Sequence, residues 1–169
     1  MWQLGWVASN DGNVSVKLSD GTVFSNAEPA CLKSMVTPEM IVHINKAGEM
    51  IETVDGYRPS SEMRMHFRCY EEREDVGAVL HAHPPVATGF AVADIPLDEY
   101  SMIETVLALG SVPIAPYATP STDEVPDAIT PYLQEHDAIL LKNSWSGNSW
   151  SRCLYGILPD GNVRAVCKN

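Results

Sequence analysis

The stretch Gly77–Pro85 constrains this chain more than any other part of the sequence. It is an apolar run of β-forming residues that ends in His81-Ala82-His83 and two prolines. Because side chains alternate along a strand, His81 and His83 point to the same face, roughly 6–7 Å apart at Cα. The prolines end the ladder and place the pair at a strand end, where α/β folds open their sites. The pattern predicts either a metal site or a histidine pair held by ordinary hydrogen bonds.

Composition indicates one globular domain, with 169 residues of which 45% are hydrophobic and 20% charged. The net charge of −11 argues against nucleic acid or an anionic membrane as a partner. No run approaches the ~18 apolar residues of a membrane span, and Met1–Trp6 lacks the pattern of a signal peptide. The four cysteines lack C-x-x-C spacing, so we expect free thiols and a cytoplasmic protein.

Hydrophobic periodicity predicts strands and helices without a repeating βαβ rhythm. Strands are expected at Asn13–Lys17, Val23-Phe24, Ile41–Asn45, Val76–His83, Val112–Ala115 and Ala138–Leu141, the last as the final buried strand. Helices are expected at Glu62–Arg73, Val86–Ala93, Met102–Leu109 and Asp123–Gln134. Hairpins near the start with helices packed around them predict an α/β sandwich built on a mixed sheet.

The character of the sequence changes at Ser144. Residues 142–169 carry Lys142, Arg152, Arg164 and Lys168 against Asp160 alone, within a strongly acidic chain. The run 144–151 has neither helical nor strand periodicity. We therefore expect 144–169 to be an aberrant, poorly ordered tail.

Four motifs occur in this order along the chain: Asp11–Val16, Pro59–Glu62, His81–His83 and Ala115–Pro120. Their joint occurrence resembles the class II aldolase/adducin family, over roughly Trp2 to Asn143. The resemblance implies an α/β three-layer sandwich with a central mixed, mainly antiparallel sheet flanked by helices. It also implies a family domain over 1–143, truncated because the family's opening helix would precede Met1. The family commonly forms homo-oligomers, typically tetramers.

The resemblance also implies a site. His81 and His83 would be zinc (Zn²⁺) ligands, Glu62 the catalytic proton-transfer group, and Asn13, Ser60 and Ser61 contacts to a substrate phosphate. The residue types suit this chemistry, since a metal stabilises the negative charge formed when a carbon–carbon bond breaks and a carboxyl group can protonate the carbon. A helix start with serines offers hydroxyls and backbone N–H groups to an anion.

Each of these residues also has an ordinary structural interpretation. Ser60 and Ser61 could be helix caps, Glu62 could favour the helix dipole, and Asn13 could be a turn residue. His66 lies four residues after Glu62, and we expect it to be packed or on the surface, since the family motif makes no use of it.

Two departures from the family pattern bear on activity. Glu28-Pro29-Ala30 stands where the family has a threonine or serine followed by glycine, and the added carboxylate should weaken phosphate capture. Asn143-Ser144-Trp145 stands where the family has Asn-His-Gly, which supplies the third zinc ligand. A catalytic zinc normally has three protein ligands, so we expect impaired activity in this chain.

A slip of reading frame after Asn143 is one hypothesis for the tail. Trp145 has the single codon TGG, so a frame one base later encodes glycine there, and Ser144 as TCN becomes CNT, which permits histidine. Asn-His-Gly is thus permitted at the expected place. Further along, Tyr155–Asn162 in the shifted frame permits Thr-Ala-Tyr-Tyr-Arg-Met-Glu-Thr, which resembles the family's C-terminal helix.

The implied function is a zinc-dependent aldolase reaction. It would cleave a phosphorylated ketose of the L-fuculose-1-phosphate kind to dihydroxyacetone phosphate and an aldehyde. A sugar-phosphate epimerase or dehydratase of the same fold is an alternative. So is an inactive remnant or an adducin-like interaction domain, although adducin-type domains lack the metal histidines that this chain has.

Overall fold

The computed structural model describes residues 1–9, 11–28, 33–52, 56–97 and 110–142, together with the backbone of 155–159. Its strands are β1 Asn13–Lys17, β2 Val23–Glu28, β3 Ile41–Ile44, β4 Arg58–Pro59, β5 Val76–His81, β6 Ile114–Ala115, β7 Ala138–Leu141 and β8 Tyr155–Pro159. Its α-helices are α1 Met63–Glu72, α2 Pro85–Ala93 and α3 Glu124–Ile129. Short 3₁₀ segments lie at Trp2–Leu4, Lys33–Met35, Pro38–Met40 and Thr130–Tyr132.

The strands form one sheet in the order β3-β2-β1-β5-β8-β7-β6, with β4 added to β2. Only β6 and β7 run parallel, and the other strand pairings described are antiparallel. Strand β7 is buried along its whole length, and its alternate residues face different helices. Ile139 and Leu141 pack in the same cluster as residues of α1 and α3, whereas Ala138 and Leu140 pack with α2. Helices therefore cover both faces, which confirms the predicted α/β sandwich with a mixed, mainly antiparallel sheet.

Helix α1 forms where the sequence predicts it, because its apolar residues recur at helical spacing. Met65 and Cys69 lie in the core beside Val76 and Val79 of β5. The helix predicted at Asp123–Gln134 is shorter: α3 ends at Ile129 and a 3₁₀ segment follows. Pro131 accounts for this, since proline has no N–H to donate within a helix. The central core of the molecule thus lies between α1, α3 and the β5–β7 part of the sheet.

Two expectations concern parts of the chain outside this core. Within the tail predicted over 144–169, Tyr155–Pro159 form β8 between β5 and β7. Ala138–Leu141 is therefore not the final strand. The remaining tail residues and the helix predicted at Met102–Leu109 lie outside the described residues. No helix in the described part of the chain has the length and apolar character needed to cross a membrane.

Candidate functional site

A pocket of about 140 Å³ opens where β1 begins, β2 and β5 end, and α1 starts. Antiparallel pairing of β1 with both neighbours brings these ends together, since Asn13 at the start of β1 lies opposite His81 at the end of β5. The described residues that line the pocket are Asp11, Gly12, Asn13, Glu28, Ser60, Ser61, Glu62, His81, His83 and Ser121. All six site residues proposed from the sequence are among them.

His81 and His83 face the same pocket, although β5 ends at His81 and His83 lies just beyond the strand. Their ring centroids are 5.1 Å apart and the ring planes are inclined by 50°. His81 is buried at the end of β5, and the backbone N–H of His83 donates to the carbonyl of Trp6 at 2.7 Å. Two imidazoles are therefore held side by side by the strand and by the N-terminal segment. Within the described residues, no group of three His, Cys, Asp or Glu side chains is placed to hold a metal ion.

Glu62 stands at the N-cap position of α1, where the helix start aims its side chain at the strand end. Its Oε2 lies 3.5 Å from Nδ1 of His81, and its side chain is only 10% exposed. The carboxyl group is thus largely shielded from solvent and adjacent to one imidazole. This arrangement suits a group that moves a proton to or from a molecule bound in the pocket.

Asn13 and Gly12 form the wall of the pocket on the β1 side. Asn13 is buried, and its Oδ1 has no hydrogen-bond partner among the described residues. Gly12 has a φ of +72°, and a Cβ at this position would lie 2.6 Å from the carbonyl oxygen of His81. Only glycine fits here without displacement, so the close approach of the Gly12 turn to His81 depends on this residue.

The serines at the helix start have partners outside the helix. Ser60 donates to Oε1 of Glu28 at 2.6 Å and also accepts from the backbone N–H of Glu62 at 3.3 Å. The hydroxyls of Ser61 and Ser121 lie 2.9 Å apart. Ser60 therefore joins the residue that begins α1 to the end of β2, and it does not cap the helix, whose N-cap position is held by Glu62 without a side-chain cap bond.

Sequence reasoning missed Ser121 and Asp11 as pocket residues and treated Glu28 only as a departure from the family. Ser121 follows the Ala115–Pro120 motif and has a φ of +63°, which is unusual for a residue other than glycine. Because Ser121 directly follows a motif that the family resemblance had placed near the site, the sequence could have indicated it as a pocket residue. Asp11 lies within one of the four motifs, but only the folded structure shows that Asp11 itself lines the pocket.

A second polar cluster lies deeper between α1 and β1. The hydroxyl of Ser15 is 2.7 Å from Nδ1 of His66 and 2.7 Å from the hydroxyl of Tyr70. Burial lowers the pKa of His66 to about 3, so its ring is neutral. Burial also raises the pKa of Tyr70, opposed by its hydrogen bond to Ser15, so Tyr70 keeps its proton. Ser15 thus joins His66 and Tyr70, and this cluster lies outside the set of described residues that line the pocket.

A larger cavity, about 840 Å³, lies over the outer side of β1 and β2. Its lining includes Trp2, Val16 and Phe24 and also the half-buried Lys33. Burial lowers the pKa of Lys33, while the charges of Glu28 and Asp11 oppose this shift. We place the candidate site in the smaller pocket because that pocket holds both histidines and Glu62.

Comparison with protein families gives a match over residues 1–144 to the class II aldolase and adducin N-terminal domain. An L-fuculose phosphate aldolase of Shigella flexneri is 34% identical over 143 residues, which is 85% of this chain and 60% of that protein. A 3-oxo-tetronate 4-phosphate decarboxylase of Pectobacterium atrosepticum is 26% identical over 147 residues, or 84% of this chain and 65% of that protein. The chain thus spans about 60–65% of the length of these curated relatives.

Solved structures agree with this assignment. An L-fuculose 1-phosphate aldolase superposes with a TM-score of 0.77 at 25% identity and covers 90% of this chain and 66% of its own. The enzyme of Thermus thermophilus with the same name gives a TM-score of 0.74 at 23% identity, covering 92% of this chain and 72% of its own, and shares the fold. With the sheet, the strand-end histidines and the helix-start glutamate in one place, the family match over residues 1–144 means that this chain belongs to the class II aldolase family.

Proposed function

We propose that the chain carries a zinc-dependent aldolase site. The reaction is cleavage of a phosphorylated ketose, in the cytoplasm, to dihydroxyacetone phosphate and an aldehyde. The observation that supports this most is the Glu62 carboxylate 3.5 Å from Nδ1 of His81, with the His83 ring in the same pocket. The relatives named as fuculose phosphate aldolases favour the substrate class.

His81 and His83 would hold the metal. Two imidazoles in one pocket are suitable zinc donors, but catalytic zinc normally has three protein ligands, and the described residues supply no group of three. The pair therefore fits part of a zinc site, and we expect weak binding. When bound, a divalent cation would supply Lewis-acid stabilisation of negative charge on the substrate oxygens.

Glu62 would move the proton. In a retro-aldol cleavage the hydroxyl of the aldehyde fragment loses its proton as the new C=O bond forms, and the electron pair of the broken carbon–carbon bond stays on the ketone fragment. The carbon of the ketone fragment must then gain a proton. A carboxyl group that is 10% exposed and beside the histidines can deliver that proton without competition from bulk water. In the synthetic direction the same group would remove it.

Asn13, Ser60 and Ser61 would bind the end of the substrate. Ser60 and Ser61 precede α1, at the helix end whose dipole favours an anion. Asn13 contributes a buried amide on the opposite wall. We further propose that the folded chain is a homo-oligomer, a tetramer as is usual for the family, which light scattering after gel filtration would measure.

A second candidate is decarboxylation, epimerisation or dehydration of a sugar phosphate at the same site. The relative named as a 3-oxo-tetronate 4-phosphate decarboxylase favours it. These reactions would use a similar metal and similar phosphate contacts, so product analysis with several ketose phosphates and keto acids separates them. An inactive remnant or an interaction domain would give no product with any of them.

The experiment compares two chains. One is the chain as written, and the other carries residues after Asn143 translated from the frame one base later, which permits a histidine at position 144. We expect less than one zinc per chain after dialysis for the first. For the second we expect one retained zinc together with carbon–carbon cleavage.

The control is Glu62→Gln in the restored chain, which should keep zinc and lose cleavage. One tightly held zinc in the chain as written would contradict weak binding by two ligands. Recovery of neither zinc nor activity in the restored chain would contradict the proposed mechanism, and stop codons throughout the shifted coding DNA would end the frame hypothesis.

A further inference from the structure

Ser121 occupies a strained position in the wall of the candidate site. Its φ is +63°, in the left-handed region that side chains other than glycine rarely adopt. Among the described residues, only Ser9, Asp94 and Ser121 combine a side chain with a positive φ, and of these three Ser121 alone lines the pocket. Such a conformation costs free energy and persists only where neighbouring contacts hold it, so its presence at a pocket points to function.

Contacts on both sides of Ser121 hold the loop that carries it. Before it, the carbonyl of Thr119 accepts a hydrogen bond from the Thr122 hydroxyl at 2.7 Å, which closes a turn around Ser121. After it, Asp123 forms an ion pair with Arg64 of α1, with 2.9 Å between Oδ1 and Nη1. The strained residue is therefore fixed beside the first turn of α1.

The loop places the Ser121 hydroxyl against the hydroxyl of Ser61. The two oxygens lie 2.9 Å apart, and either hydroxyl can be the donor. Within the described residues, neither hydroxyl has another hydrogen-bond partner. Whichever of the two donates, the other keeps a proton that an acceptor in the pocket can receive.

The pocket offers an anion few other donors. The described residues that line it include three carboxylates and no lysine or arginine, so a phosphate there depends on neutral donors. Ser60, itself only 4% exposed, already donates its proton to Oε1 of Glu28 at 2.6 Å. A phosphate would have to break that hydrogen bond to use Ser60, whereas Ser61 and Ser121 can donate by rotating their hydroxyls.

We propose that Ser121 is a phosphate-binding residue of this site and forms, with Ser61, a pair of hydroxyl donors that holds the phosphate of the ketose. The inference rests on the proposed function and deepens it, because it assigns the phosphate contact to a residue in the loop after β6. A phosphate dianion only accepts hydrogen bonds, and two neighbouring hydroxyls can donate to two of its oxygens. The strained backbone at Ser121 then serves to present this donor to the phosphate.

The test is phosphate binding by the full chain at pH 7.5 without added zinc. Inorganic phosphate and dihydroxyacetone phosphate are titrated separately into isotopically labelled protein, and the shifts of backbone amide signals give both dissociation constants. Ser121→Gly removes the hydroxyl and relieves the strain, so we expect dissociation constants about tenfold higher and a thermal midpoint no lower than that of the wild-type chain. Ser121→Ala removes the hydroxyl and keeps the strain, and it should raise the dissociation constants equally.

Ser9→Gly is the matched control, because Ser9 is also an exposed serine with a positive φ, +49°, and is not among the described residues lining the pocket. It relieves the same kind of strain and should leave phosphate binding unchanged. The thermal midpoint separates binding from folding, since loss of a hydroxyl that served only the fold would make Ser121→Gly less stable.

Four results would overturn the inference. They are no phosphate binding by the wild-type chain, an unchanged phosphate affinity in either Ser121 variant, a lower thermal midpoint in Ser121→Gly, and equal weakening of phosphate binding in Ser9→Gly. Neither titration requires a bound metal or bond cleavage. A chain that binds phosphate through Ser121 but cleaves no ketose would contradict the proposed reaction alone, and a cleaving chain whose phosphate affinity does not depend on Ser121 would contradict this inference alone.

Discussion

Two polar clusters lie between the same helix and the same strand, and they differ in what completes them. Deep under α1, an inner cluster joins the hydroxyl of Ser15 to Nδ1 of His66 and to the hydroxyl of Tyr70, each at 2.7 Å. One helical turn nearer the start of α1, an outer cluster borders the open pocket and consists of Asn13, Glu62 and His81. Its Asn13 Oδ1 has no hydrogen-bond partner among the described residues. His66 and His81 are almost equally buried, at 0% and 2% exposure. Burial alone therefore does not separate a structural histidine from a candidate functional one, whereas the surroundings do.

The largest expected contrast is in stability. His66→Ala should lower the free energy of unfolding by about 3 kcal/mol, because it leaves a cavity and removes a hydrogen bond from Ser15. His81→Ala should lower it by about 1 kcal/mol, because the ring borders a pocket rather than packed core. Urea unfolding followed by circular dichroism measures both. Equal losses would show that both histidines serve the fold in the same way.

The loss of unfolding free energy at acid pH should also come from the inner cluster, through His66. Burial lowers the folded-state pKa of His66 to about 3, against 6.5 for an exposed imidazole. The unfolded chain therefore binds one more proton between these pH values, so stability is fully present above about pH 6.5 and falls as pH is lowered toward 3. The contribution is about 1.4 kcal/mol per pH unit within that window.

His66→Gln should flatten this part of the pH profile of the unfolding free energy. The half-buried His43 provides the control, as His43→Gln should leave the slope as it is. A slope that His66→Gln does not change would mean that other groups set the acid response.

Zinc should distinguish the clusters in the opposite direction. His81→Ala should weaken the already weak zinc binding by about tenfold or more, since it removes one of two imidazole ligands. His66→Gln should leave zinc binding unchanged. A competition titration with a zinc-sensitive dye measures both affinities. Equal weakening of zinc binding by the two changes would contradict the assignment of metal binding to the outer cluster alone.

The smallest expected effect is that of Tyr70→Phe. It removes one hydrogen bond to Ser15 while keeping the ring, so we expect a loss of about 1 kcal/mol in unfolding free energy. Zinc binding should be unaffected. A fall in zinc affinity with this variant would show that the inner cluster also positions His81 and its neighbours in the outer cluster.

Local features of the fold could be predicted from the sequence because local patterns dictate them. The alternation in Asn13–Lys17, the helical spacing of Met63–Glu72 and the apolar run before His81 each lie within a dozen residues. The strand-end histidines and Glu62 could be named as site residues for the same reason, with the family resemblance joining them.

Contacts between distant parts of the chain could not be predicted in this way. Ser60 meets Glu28 across 32 positions, His66 meets Ser15 across 51, and Ser61 meets Ser121 across 60. Each depends on the strand order, which periodicity does not encode. The strand at Tyr155–Pro159 was missed because the unpatterned residues before it suggested that nothing in the tail would pack.

Strand β8 makes the middle of the sheet depend on the last part of the chain. Its Tyr155 lies opposite His81, and on its other side the same strand joins β7. A chain cut before this segment would expose two bare edges at once, each ready to pair with another molecule. Without Tyr155–Pro159 in this position, the backbone that carries His81 would lie at an unpaired sheet edge, which favours aggregation.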